Sequence, residues 1–209
     1  MFTAIRKNGL ILATFACLST GVVAVTHKLT ESQIKSQQQA QLLSVLNQVI
    51  PTKLHDNELS QSCILINDPA LGTNDSMPAY IATRKGQPSA IAIEAIAPDG
   101  YNGAIKVIIG IKNDGTISGT RVLAHNETPG LGDKIDLRIT DWILNFTGKS
   151  VTSDNEAQWK VRKDGGQFDQ FTGATITPRA VVKAVKKAVT YVNENREILV
   201  KQTYNCGDK

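Results

Sequence analysis

The chain has few of the residues that build metal centres or disulfide scaffolds. Its 209 residues include only three cysteines and three histidines. Cys17, Cys63 and Cys206 show no Cys-x-x-Cys spacing and form no ligand cluster with His27, His55 and His125, so no metal site is expected. Aromatic residues make up 5% and the formal net charge is +4. Without aromatic residues interleaved among the basic ones, no nucleic-acid partner is expected either. The basic cluster of Lys183, Lys186 and Lys187 reads most simply as the solvated face of an amphipathic helix. Neither Gly100-Tyr101-Asn102-Gly103 nor Gly130-Leu131-Gly132 makes a Gly-rich strand-to-helix nucleotide fingerprint. No internal repeat or low-complexity tract is present.

The longest stretch without charge lies near the N-terminus. From Gly9 to Val25 no Asp, Glu, Lys or Arg occurs, and Leu10, Ile11, Leu12, Phe15, Leu18, Val22 and Val23 make the segment apolar all round. At roughly 17 residues it is at the short end for a bilayer-spanning helix. Arg6 and Lys7 precede it, whereas Lys28 is soon offset by Glu31, an asymmetry that predicts a cytoplasmic N-terminus and an exported body. A cleaved signal peptide ending near Val22-Val23-Ala24 is the rival to a retained anchor. Cys17 reads as a small hydrophobe within this segment. If the body is exported, Cys63 and Cys206 either form a disulfide or stay unpaired, since spacing alone gives no distance between them.

With 41% hydrophobic residues, the chain can bury one main core beside its targeting segment. The expected division is an anchor over 1–28, a helix and irregular segment over 29–78, and one domain over 79–209. Thr30 and Gln33 form a capping-box pattern ahead of Leu42, Val45, Leu46 and Val49, predicting a helix that ends at Pro51. Residues 52–78 read as irregular. Strands are expected over 80–83, 91–96, 104–111 and 116–124, with a turn at Lys85-Gly86-Gln87-Pro88 and a hairpin at Asn113-Asp114-Gly115. A short helix over 139–146 and a short strand holding Trp159 and Val161 follow. The predicted class is α+β, an antiparallel β core with flanking helices, preceded by one transmembrane helix.

The segment Asp169-Gln170-Phe171-Thr172-Gly173-Ala174-Thr175-Ile176-Thr177-Pro178 is a hydroxyl-rich turn running into the last helix. Val181, Val182, Val185, Ala188, Val189 and Val192 recur there at helical spacing, with Thr177 the expected N-cap and Pro178 the first helical residue. The free N–H groups of a helix start favour an anion by roughly 0.3 to 1 kcal/mol. Thr175 adds a hydroxyl just upstream, and Gly173 and Ala174 leave the approach uncrowded. By local physics alone, ordinary capping explains the same residues.

Asp169, Thr172-Gly173-Ala174-Thr175 and Thr177 match the flavinylation motif of FMN-binding-domain proteins, and His125-Asn126-Glu127-Thr128-Pro129-Gly130-Leu131-Gly132 resembles the Glu-Thr-Pro-Gly-Leu-Gly loop of that family. The similarity covers nearly the whole chain. It is strongest to the RnfG family, the G component of Rnf (Rsx) electron-transport complexes, which is related to the C component of the Na+-translocating NADH:quinone reductase. The resemblance implies covalent FMN, linked by a flavin transferase from FAD through its phosphate to Thr175. It implies a redox subunit of an ion-translocating oxidoreductase in the bacterial inner membrane, an electron carrier with no catalytic residue of its own, partnered by the other components of the complex.

Thr172, Gly173, Ala174 and Thr177 are then the expected phosphate-side neighbours, and Glu127, Thr128, Gly130, Leu131 and Gly132 the ring side. Leu131 would supply an apolar contact and Glu127 would orient its loop through backbone amides. His125 is either a hydrogen-bond partner or a surface residue. Asp169 serves transferase recognition or a local turn. The alternative class is a membrane-anchored adaptor without redox function, whose Thr-Gly-Ala-Thr turn is only structural.

Overall fold

The computed structural model describes residues 2–206. Two compact units divide the chain, Met1–Leu42 and Leu43–Lys209. The first is a single helical segment belonging to α1 (Phe2–Val49). Helix α1 is, among the described residues, the one helix long and apolar enough to cross a membrane. Its large side chains, among them Leu10, Phe15 and Val23, are exposed.

The capping box at Thr30 does not start a helix. Helix α1 runs through it, and the Thr30 hydroxyl turns back to donate to the Thr26 carbonyl at 2.8 Å. The helix is already nucleated upstream and Gln, Lys and Ala extend it without a break, so the capping residues have no free end to cap. Pro51 follows the end of α1, as its missing N–H and fixed φ require.

The second unit is built on one antiparallel sheet of five strands in sequence order. These are β1 (Cys63–Ile66), β2 (Met77–Arg84), β3 (Gln87–Ala97), β4 (Ile105–Lys112) and β5 (Ile117–Ala124). β1 lies in the segment expected to be irregular. Its four residues escape a periodicity test, but pairing with β2 buries Ile64 and Ile66. The β2–β3 turn is shorter than predicted. Lys85 and Gly86, with φ of 53° and 74°, form a two-residue turn, and Gln87 and Pro88 belong to β3. The β4–β5 hairpin closes at Asn113-Asp114-Gly115 as expected, with the Gly115 amide donating to the Lys112 carbonyl at 3.0 Å.

Alternate residues of β3 and β4, such as Ile91, Ile93, Val107 and Ile109, form one face of the sheet. Against that face lies α2 (Ile176–Leu199) with Val181, Val185, Ala188, Val189 and Val192 fully buried. The predicted lysine stripe is on its outer side, where Lys183 pairs with Asp99 and Lys186 with Glu156. On the opposite face Val49 closes over Gly110 and Gly119, and the Ser118 hydroxyl donates to the Val49 carbonyl at 2.5 Å.

Between β5 and α2 the chain makes short 3-10 turns, including Gly132–Ile135 and Asp141–Phe146, and no regular strand. Trp159 ends one such turn and Val161 makes a single bridge to Phe168, so the predicted strand there is absent. Both side chains are nevertheless buried, in an aromatic cluster with Phe146 and Phe168, whose rings stack at 4.6 Å. An alternating apolar pair marks burial here without marking a strand.

Candidate functional site

Three chain segments converge at the N-terminal end of α2. They are the turn between β3 and β4, the loop after β5, and the stretch leading into α2. Together they line a cleft of about 360 Å³ formed by Tyr101, Glu127, Thr128, Leu131, Gly132, Gly173, Ala174, Thr175, Ile176 and Thr177. That volume is near the lower end of the ~300–1,000 Å³ typical of ligand pockets.

Glu127 joins all three segments. Its side chain is buried, with the residue 4% exposed. Oε1 accepts from the Asn102 amide at 3.2 Å, and Oε2 accepts from the Thr177 hydroxyl at 2.5 Å. The expected bond to a backbone amide is present, from Asn102 of another segment, and the bond to the Thr177 hydroxyl adds to it. The glycines around it follow from this position. A Cβ on Gly132 would lie 2.6 Å from Glu127 Oε2 and 2.8 Å from Thr177 Oγ1, and one on Gly100 would lie 2.9 Å from Oε1.

The start of α2 differs by two residues from the sequence expectation. The helix begins at Ile176, Thr175 occupies the N-cap position without making a side-chain cap bond, and Pro178 is the third helical residue. Pro178 is tolerated in the first turn because that amide would lack an intrahelical partner anyway. Thr177 is not the cap; its hydroxyl is committed to Glu127. Thr175 therefore stands at the positive end of the helix, where it lines the cleft and is partly buried.

The loop after β5 is held from behind. The Glu127 amide donates to His125 Nδ1 at 3.1 Å, which assigns the ring proton to Nε2, and Nε2 faces Asp136 Oδ2 at 3.7 Å. His125 is thus a half-buried partner of its own loop and does not line the cleft. Hydrogen bonds from the Arg138 guanidinium hold the buried Asp136 carboxyl below the usual carboxylate range. The amides of Leu131 and Gly132 both donate to the Thr128 carbonyl at 3.1 Å, closing the turn.

The segment before α2 is anchored by Trp142. Its indole N–H donates to the Asp169 carbonyl at 2.8 Å, and its ring meets Phe171 edge-on at 5.3 Å. The Asp169 carboxylate is paired with Arg162 at 2.9 Å. Gly173, at φ 80°, turns the chain into the cleft, and a Cβ there would meet only Leu131 Cδ2, at 3.7 Å.

Eight of the ten predicted site residues line this one cleft; Thr172 and Gly130 do not. Tyr101 and Ile176 line it without having been predicted, and they are 68% and 45% exposed. With Leu131, 42% exposed, they give the cleft an apolar rim. An aromatic residue on the glycine-flanked Gly100–Gly103 turn was the available sign of Tyr101.

Residues 100–190 match the FMN-binding domain family and residues 1–49 match the RnfG N-terminal region. The chain is 72% identical over 207 residues to the G component of the ion-translocating oxidoreductase complex of Vibrio atlanticus, covering 99% of both chains. It is 69% identical to the same component from Vibrio parahaemolyticus, over 99% of this chain and 98% of the relative. Identity to the Shewanella oneidensis relative of that name is 59%, over 97% and 96%. The chain belongs to the RnfG family of ion-translocating oxidoreductase complexes.

It is accordingly a membrane-associated flavoprotein that works beside other Rnf subunits, which disfavours the adaptor alternative. The cleft suits an FMN. Thr175, a partly buried residue lining the cleft, stands at a helix N-terminus that favours phosphate, and an apolar rim lies within the same cavity. Thr175, Gly173, Ala174 and Ile176 would hold the phosphate end, and Tyr101, Leu131 and Gly132 are left for the ring. When bound, FMN supplies the electron-carrying chemistry that these side chains lack.

Proposed function

We propose that FMN is attached to Thr175 through a phosphoester and that the protein carries electrons through it within an Rnf-type translocase. The observation that supports this most is the position of Thr175, which makes no side-chain cap bond and lines the cleft at the α2 N-terminus. In the attachment step Thr175 Oγ1 gives up its proton and bonds to the FMN phosphorus of FAD. The pyrophosphate bond breaks and AMP leaves. A Mg-dependent flavin transferase serves as the catalyst. The product would be a diester with one remaining negative charge, which the first amides of α2 would stabilise. Thr177 cannot take the place of Thr175, because its hydroxyl is buried and bonded to Glu127.

The domain after α1 is, on this proposal, periplasmic, with the N-terminus in the cytoplasm and α1 a retained single-pass anchor in the inner membrane. The charge asymmetry around the apolar run supports that orientation. So does the bond between Cys63 and Cys206, which belongs to an oxidising compartment.

Production with the transferase, denaturation and in-gel flavin fluorescence test the attachment. The wild-type band should fluoresce and the Thr175→Ala band should be dark; equal fluorescence of the two contradicts the assignment. Reporter fusions after Thr30 test the orientation, with activity expected only from a reporter that functions after export.

A further inference from the structure

β1 is an outer strand of the sheet, and outer strands expose a row of backbone groups to any chain able to pair with them. The Ile81 amide donates to the Ser62 carbonyl at 2.9 Å. The alternation of antiparallel pairing then turns the backbone of Ile64 and Ile66 toward β2 and that of Cys63 and Leu65 outward. The outward groups are met by one residue of the C-terminal tail. The Asn205 amide donates to the Cys63 carbonyl at 3.0 Å, and Asn205 Oδ1 accepts from the Leu65 amide at 2.8 Å. Asn205 thus imitates one rung of a neighbouring strand, its side-chain carbonyl standing in for a backbone carbonyl. The next residue, Cys206, is disulfide-bonded to Cys63, with 5.4 Å between the two Cα atoms.

We propose that Asn205 and the Cys63–Cys206 disulfide form a redox-operated clasp that keeps the β1 edge closed, and that an exported dithiol opens it. Cys206 is the more accessible half, since Cys63 is only 5% exposed. A thiolate of the dithiol attacks Cys206 Sγ, the Sγ–Sγ bond breaks, and Cys63 leaves as a thiolate and takes up a proton. The second thiol of the reductant displaces Cys206 from the mixed disulfide. Two electrons and two protons pass to this chain and the dithiol becomes a disulfide. Without the covalent tie, Asn205 is held to β1 by two hydrogen bonds, each of small net value. The tail then leaves, and the Cys63 carbonyl and Leu65 amide lose their partner and meet solvent.

The clasp is remote from the cleft. The tail follows the last residue of α2, whereas Thr175 precedes its first, and 24 residues of helix span about 36 Å. Opening the clasp therefore leaves the cleft intact. The clasp does not depend on the flavin assignment; export decides only where its reductant is found.

Hydrogen exchange read by mass spectrometry on the full-length protein in detergent tests the clasp, with dithiothreitol as the dithiol. Reduction should speed exchange of the Leu65 amide at least tenfold and leave Ile64, Ile66 and 127–132 unchanged. Cys206→Ser should reproduce this without reductant. Asn205→Ala, which keeps the disulfide, should speed exchange at Leu65 alone and so separates loss of the edge contact from any general weakening. Unchanged protection of the Leu65 amide after complete reduction overturns the proposal. So does a disulfide that dithiothreitol cannot reduce in the folded protein.

Discussion

Thr177 and Glu127, fifty residues apart, share a buried hydrogen bond of 2.5 Å that ties the start of α2 to the loop after β5. Because Glu127 also accepts from the Asn102 amide, one carboxylate fixes the three segments around the cleft. Cleft geometry is therefore set by a group whose oxygens are occupied by protein donors. Thr177→Val removes one donor and leaves a buried acceptor short of a partner, at a cost of about 1 to 3 kcal/mol. Urea unfolding should show that loss. The flavin of this variant should remain covalently bound, with a shifted visible spectrum, because Thr175 is untouched.

Gly132→Ala examines the same junction by crowding. The new methyl would stand 2.6 Å from Glu127 Oε2 and 2.8 Å from Thr177 Oγ1, so the loop must move away. Overpacking of this kind costs about 1 to 3 kcal/mol. The expected outcome is a lower melting temperature together with reduced flavin incorporation. Gly86→Ala, in open space at the β2–β3 turn, should lower stability through its positive φ and leave incorporation unchanged.

Leu131→Ala removes an apolar side chain from the rim and spares the acceptor hydroxyl. Full flavinylation with a shifted absorption spectrum or reduction potential is the expected result. An unchanged spectrum and potential in the folded, fully flavinylated variant would show that this side chain does not meet the ring.

Asp136 makes the domain sensitive to acid. Its folded pKa is lowered, chiefly by the hydrogen bonds from Arg138, so below neutrality the unfolded chain binds the proton more readily. Stability from this group is present above the unfolded carboxyl value of about 3.9 and is lost as pH falls through the lower folded value. Melting temperature measured from pH 7 down to 3 should fall at the acid end. Asp136→Asn should flatten that part of the fall, while starting from lower stability at neutral pH.

The parts of the fold with repeated signals were legible in the sequence. Alternating isoleucines in β3 and β4, the Asn-Asp-Gly hairpin and the valine stripe of α2 each state their period several times over. β1 has too few residues to do so, and Thr30 carries a local signal that a helix already formed upstream overrides. At the site, the turn around Thr175 and the loop after β5 were identified through resemblance. Their contact through Glu127 and Thr177 was not legible, because a bond across 50 residues leaves no local pattern. Thr177 also satisfied a local rule, N-capping, that its buried partner outweighs. Trp142 falls within the short helix expected over 139–146, but its bond to the Asp169 carbonyl depends on a tertiary approach that no spacing encodes.

Peptide mass spectrometry of the protein made with its flavin transferase tests the central claim most directly. The peptide containing Thr175 should carry the mass of FMN less one water, with fragmentation locating it on Thr175, and the adduct should vanish in Thr175→Ala. A covalent flavin retained in that variant, or located on Thr172 or Thr177 in the wild type, would contradict the account.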